Sequence, residues 1–122
     1  MYEVRWADAE LESVTYTYDL VRIVVRETAG RLVSVEGHGP VGLEVEGFWD
    51  EAVISEADLI ENHPFADRCW RSIESRLGIE PPVSGSPDRN LKSFKTLVIA
   101  LADGCYIRVA AARFTAEPLV SA

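Results

Sequence analysis

Residues 61–78, ENHPFADRCWRSIESRLG, place His63, Asp67 and Cys69 within seven positions. Those are the residue types of a thiol nucleophile with an oriented imidazole base. For such chemistry the Cys69 sulfur must be within reach of His63 or His38. The apolar spacing argues otherwise: Phe65, Ala66, Cys69, Trp70, Ile73 and Leu77 recur with helical spacing, spanning an arc of roughly 140° at about 100° per residue. Cys69 lies inside that arc, between Phe65 and Ile73, and a thiol buried among hydrocarbons is pushed above its ordinary pKa and is inert. His63 and Asp67, four apart, could meet at the polar border of the helix. His63 also stands directly before Pro64, where a residue caps a helix N-terminus, and capping is its expected role. The segment reads as packing rather than catalysis.

The remaining reactive types are scattered. Cys105 follows a tight turn, and no cationic neighbour within the turn lowers its pKa. His38 sits between two glycines in EGHGP, a turn-filling position from which an imidazole could also approach a ligand. SEADLIENH supplies Glu56, Asp58, Glu61 and His63, but the spacing fits neither an EF-hand loop nor a zinc helix motif. There is no glycine-rich phosphate loop, nucleophile elbow or basic aromatic strip. The expectation is a protein that is not an enzyme and carries no cofactor or metal, the alternative being a small-molecule or metal site built on His38, His63 and nearby carboxylates.

Charge placement is more informative. The net charge of −8 divides into −10 over residues 1–62 and +2 over residues 63–122. Between Arg31 and Arg68 there is no Lys or Arg, and nine carboxylates fall in that interval. Such a field repels nucleic acid and attracts a basic protein. Phe48 and Trp49 lie inside it, an aromatic pair with an acidic rim, the composition of an interaction hot spot; Trp49 as a plug for the end of the core is the competing reading. The expected partner surface comprises Glu44, Glu46, Trp49, Asp50, Glu51, Glu56 and Asp58.

The elements that must position these residues follow from periodicity. With 122 residues, 48% of them hydrophobic, the chain is expected to form a single domain, 1–122. Alternation from Glu12, with Val14, Tyr16 and Tyr18 on one side, reads as a half-buried strand. LVRIVVRE alternates Val21, Ile23 and Val25 against Arg22 and Arg26, and TAGR turns it into RLVSVEGH. After GHGP, a fourth strand follows with Val41, Leu43 and Val45 inward and Glu44 and Glu46 outward. Residues 52–55 suggest a short strand, and SEADLIE a helical turn capped by Ser55. The helix spans 64–77, opened by Pro64 and closed by Gly78. GIEPPVSGSPDRN, with three prolines and two glycines, is a loop.

SFKTLVIALADGCYIRVAAARF is a hairpin with a two-residue turn at Asp103-Gly104. Both its faces are apolar, which places it mid-sheet, covered by the helix on one side and by curled meander strands or a second subunit on the other. The fold class is α+β, mainly β: antiparallel sheet from an N-terminal meander and a C-terminal hairpin, with one amphipathic helix packed on it. Two strand-turn-strand units, LVRIVVRETAGRLVSVEG and LVIALADGCYIRVAAARF, hint at an internal repeat. No apolar run approaches membrane-spanning length and no leader precedes the first strand, so the expected location is the cytoplasm.

A short acidic chain with a strand meander, one amphipathic helix and the final hairpin LVIALADGCYIRVAAARF resembles the small bacterial immunity proteins of polymorphic toxin systems and related β-rich domains. The resemblance covers the order of elements over residues 12–114. It implies a non-catalytic inhibitor that covers a basic toxin with an acidic surface, and it implies no catalytic residues. A structural subunit whose apolar hairpin builds a homodimer sheet is a third reading.

Overall fold

The structure, a computed structural model, describes residues 2–46, 53–77 and 94–119. Among these residues six strands form one antiparallel sheet: β1 (Glu10–Tyr16), β2 (Leu20–Arg26), β3 (Leu32–Glu46), β4 (Ile54–Glu61), β5 (Lys95–Leu101) and β6 (Tyr106–Pro118). Their spatial order is β1-β2-β3-β6-β5-β4, so two three-stranded meanders join through β3 and β6. The sheet curls until its outermost strands touch. Glu10 bridges Val53, the Asp8 N–H donates to the Ile54 carbonyl at 2.9 Å, and the Ile54 N–H donates to Ala9 at 2.8 Å. The result is a partly closed barrel, filled by alternate side chains of every strand, with Ile23, Val25, Val33, Ile54, Ile99 and Ile107 among the most deeply buried.

Among the described residues one helix, α1 (Pro64–Leu77), packs outside the barrel. The chain leaves β4 through Asn62, at φ 59°, in the left-handed region that Asn tolerates. His63 then caps the helix, its Nδ1 accepting the Phe65 N–H at 3.0 Å. Pro64 follows where no donor is needed. Phe65 and Ala66 are buried against Ala110, Phe94 and Val41, and the Trp70 and Phe94 rings lie 5.4 Å apart. The apolar hairpin occupies the middle of the sheet, with β5 between β4 and β6, and β6 between β3 and β5. Its inner face is covered by the curled meander of the same chain.

Several local expectations are corrected. Gly39-Pro40 does not end a strand: β3 runs through it, bent by a bulge between Pro40 and Gly42 in its pairing with β6. The bulge shifts the phase of the strand, so Val41 packs with the helix cluster and Leu43 with the barrel core, while Val45 is exposed. SEADLIE is not a helical turn but the body of β4, paired with β5 from Ile54 to Glu61; the available β5 edge outweighed local helix preference. Tyr16 and Tyr18 are exposed, because Tyr16 is the last residue of β1 and Tyr18 lies beyond it in the turn to β2, past the end of the core. The Asp103-Gly104 turn has three residues rather than two. Leu101 donates to the Cys105 carbonyl and Gly104 to that of Leu101, with Gly104 at φ 92°, as a three-residue connection ending in a left-handed glycine requires. That moves the register by one, pairing Val98 with Arg108 and Ile99 with Ile107.

The β2–β3 turn has the same construction. Glu27 donates to Arg31 and Gly30 to Glu27, each at 2.8 Å, with Gly30 at φ 93°. Each meander therefore turns between its second and third strands in the same way, and each carries one bulge in its first strand. The internal similarity suspected in the sequence is present in the backbone.

Candidate functional site

The register across β4, β5, β6 and β3 lays out the outer face in rows. Glu56, Ala100, Tyr106 and Glu46 are consecutive cross-strand partners, and so are Asp58, Val98, Arg108 and Glu44. The next row is Ile60, Thr96, Ala110 and Gly42, whose centre lies beneath α1. Of the seven residues expected at the partner surface, four (Glu44, Glu46, Glu56 and Asp58) thus share one face beside the helix. Trp49, Asp50 and Glu51 lie outside the described residues, as do Phe48 and the loop expected over 78–90.

At the centre of the face Arg108 ion-pairs with Glu44, donates through Nη2 to the Tyr106 hydroxyl at 2.7 Å, and stacks over the Tyr106 and Phe65 rings at 4.6 and 5.4 Å. The Tyr106 hydroxyl in turn donates to Glu46. Burial pushes the Arg108 pKa down, but the bonds to Tyr106 and Glu44 outweigh it and the guanidinium is held above its ordinary value. The bond to Glu46 chiefly, and partial burial, raise the Tyr106 phenol. Both groups keep their neutral-pH forms, a charged guanidinium and an un-ionised phenol. Glu44 and Glu46 are therefore partly committed within the chain. Glu56 and Asp58 are exposed and have no ion-pair partner among the described residues.

The N-terminal arginines are also engaged locally. Arg22 reaches Glu36 at 2.8 Å and Arg26 reaches Glu12 at 2.7 Å. Arg5 donates its backbone N–H to Glu27, and Arg31 lies near Glu27 and over the Tyr2 ring. The cations of β2 and its turn thus serve carboxylates of their own meander, and among the described residues none of them reaches Glu56 or Asp58 on β4. This segregation was visible in the sequence as the interval without Lys or Arg. The Arg108–Tyr106 network was not, since it depends on the long-range β3–β6 register that sets Glu44 opposite Arg108 and Glu46 opposite Tyr106 after the bulge at Pro40.

The other reactive residues have local roles. His38 Nε2 lies 3.0 Å from the Thr115 hydroxyl and 3.7 Å from Glu36. His63 is the helix cap, turned to the Phe65 N–H rather than to Asp67. Among the described residues no three His, Cys, Asp or Glu side chains are grouped to hold a metal ion. The Cys69 thiol is raised chiefly by burial, Arg68 opposing and Glu44 adding; Cys105 is raised by burial and by Asp103. With both thiolates disfavoured, iodoacetamide at neutral pH is expected to modify the native protein severalfold more slowly than free cysteine; mass spectrometry of timed samples measures this, and rapid labelling at Cys69 would contradict its packed position.

Comparison with protein-family models, with curated proteins and with solved structures finds no match. The site must be judged on its own chemistry. It has an exposed acidic pair, an apolar floor from Val98 and Ala100, and a rigid aromatic-guanidinium stack.

A second feature adjoins it. A pocket of about 250 Å³ lies between the N-terminal segment and the barrel, lined by Tyr2, Glu3, Val4, Trp6, Val35, Leu59, Leu97, Phe114 and Ala116. The segment is held by Tyr2, whose N–H donates to the Ala116 carbonyl at 3.3 Å, where β6 continues past the start of β5. This pocket was not legible in the sequence, because its walls come from the N-terminal segment and from β3, β4, β5 and β6. Among the described residues no helix is long and apolar enough to cross a membrane.

Proposed function

We propose that this chain is a non-catalytic protein-binding module that meets a basic protein partner with the outer face of β3, β6, β5 and β4, and that the partner is a toxin the chain neutralises in the cytoplasm. The observation that supports the reading most is the cross-strand alignment of Glu44, Glu46, Glu56 and Asp58 with Arg108 as their central cation. Carboxylates fixed on a sheet present a preorganised field, which speeds encounter with a cationic surface and rejects acidic ones. The toxin assignment rests on the order of elements and on the absence of an organised reactive group among the described residues.

The test is capture of the partner from the native host on immobilised protein, at about 0.05 M and about 0.5 M salt, since screening weakens exposed charge pairs. The expected product is a basic polypeptide, retained at low salt and released at high salt, that is toxic when expressed alone and harmless when co-expressed with this chain. Glu56→Lys combined with Asp58→Lys is expected to weaken its binding at least tenfold, mainly through slower association. Retention indifferent both to salt and to this double reversal removes the acidic-face reading; a retained partner that is harmless alone removes the toxin assignment.

A further inference from the structure

The fourth strand leaves a template unused. β4 is the last strand of the sheet; among the described residues it meets the chain entering β1 at its start, where Glu10 bridges Val53 and Ile54 bonds Asp8 and Ala9. From Ser55 to Glu61, among the described residues, its outer side has no backbone partner. The phase of that edge follows from the neighbouring turn. The Leu101 N–H bonds Cys105, so Leu101, Ile99 and Leu97 direct their backbone groups to β6, and Ala100, Val98 and Thr96 direct theirs to β4. Glu56, Asp58 and Ile60 face β5 in this way, and Ala57, Leu59 and Glu61 turn their N–H and carbonyl groups to the open side.

Side chains alternate about the same edge. Ala57 packs against the barrel core, and Leu59, 40% exposed, forms part of the apolar pocket wall. Glu56 and Asp58 stand on the opposite face, beside Ala100 and Val98. Glu61 is partly offset by Lys95 at 3.9 Å, leaving Glu56 and Asp58 as the two uncompensated acids. An open backbone row, an apolar recess on one face and two carboxylates on the other are the three parts that recognition by strand addition requires: main-chain bonds for affinity and alternating side-chain sites for specificity.

From this geometry we infer that an extended segment of the partner adds to the sheet as a seventh strand along β4, with alternating basic and apolar residues. Its apolar side chains lie on the Leu59 side, one entering the recess, and its arginine or lysine side chains meet Glu56 and Asp58. The recess, about 250 Å³, is larger than the engineered apolar cavity of about 150 Å³ that holds benzene, so a leucine or phenylalanine fits. This inference rests on the acidic-face reading and specifies how the partner is held.

The probe is a synthetic eight-residue peptide alternating arginine and leucine, titrated into the intact chain by calorimetry. A peptide of the same composition with the arginines in one block and the leucines in the other is the control. The alternating peptide is expected to bind at least tenfold more tightly, and to slow hydrogen exchange at the Ala57 and Leu59 amides. Ala57→Pro removes one outward donor at an edge position where proline is tolerated, and is expected to cost at least tenfold in affinity. Should that variant fail to fold, methylating every second peptide amide makes the same cut on the ligand; one of the two phases is expected to abolish binding and the other to spare it.

Equal affinity for the two peptides, or no binding of either, overturns strand addition. Loss of binding on Glu56→Lys with Asp58→Lys but none on Ala57→Pro or on methylation also overturns it, while leaving the acidic face as the partner surface.

Discussion

Replacing Glu27 with alanine is expected to lower the stability of the fold by about 2–3 kcal/mol and to detach residues 2–6 from the sheet. Glu27 begins the β2–β3 turn, only 4% exposed, and its carboxylate collects the donors that hold the N-terminal segment. The Tyr2 hydroxyl donates at 2.7 and 2.9 Å and the Arg5 N–H at 2.9 Å. Alanine leaves a buried backbone donor without an acceptor and Arg31 without its nearby anion. Burial raises the Glu27 pKa, but the Arg5 N–H, the Tyr2 hydroxyl and the charges of Arg31 and Arg5 outweigh it, and the carboxyl titrates below the ordinary glutamate value. A depressed folded-state pKa means that the contribution is complete above the unfolded value and is lost as pH falls through the folded one. Chemical denaturation at pH 7 and at pH 3 checks this: the gap between wild type and Glu27→Gln is expected to narrow at the lower pH. A gap of the same size at both would contradict the assignment. Because residues 2–6 also wall the apolar recess, the same substitution is expected to weaken binding of the alternating peptide.

Adding a single methyl group to Gly42 is expected to cost about 2 kcal/mol, in the range for overpacking a filled site. A Cβ there runs into the Cys69 Sγ, lies 3.0 Å from the Cys69 Cβ, and reaches the Phe65 ring at 3.4 Å. Gly42 lies in the row beneath α1, so the missing side chain sets how closely helix and sheet approach. Gly42→Ala is expected to lower the thermal midpoint by several degrees, and Gly42→Val by more. Cys69→Ala removes the nearest obstacle, so the Gly42→Ala/Cys69→Ala pair is expected to be less destabilised than the sum of its singles, the sign of a direct contact. Strict additivity would show that the helix does not rest on this glycine. The cysteine that first suggested chemistry is half of a close-packing contact.

Where side-chain spacing alone decides an element, the sequence was sufficient. The helix spans Pro64–Leu77 as its apolar arc and its opening proline require, and β2 buries Val21, Ile23 and Val25 as alternation dictates. The departures came from single inserted residues. The bulge after Pro40 and the third residue of the Ala102-Asp103-Gly104 turn each shift a strand by one, and a strand shifted by one turns its side chains to the other face. Neither leaves a mark in hydrophobicity. β4 was misread for another reason: SEADLIE has helix-compatible composition, and only a distant partner strand makes it extended. The acidic face was legible as a gap in positive charge, because a run without Lys or Arg survives any folding of its segment. Its rows, and Arg108 at their centre, were not, since they follow from register.

The paired turns have a consequence for the route to the native state. Each meander closes on itself through contacts near in sequence, whereas the seam between them brings Val33 opposite Pro118 and Glu46 opposite Tyr106. Loop-closure entropy makes such distant pairings slow. Until they form, β3 and β6 each expose a long free edge, and the half that best fits one is the matching half of any neighbouring molecule. During synthesis at high concentration, the hazard specific to this architecture is therefore exchange of whole halves between chains.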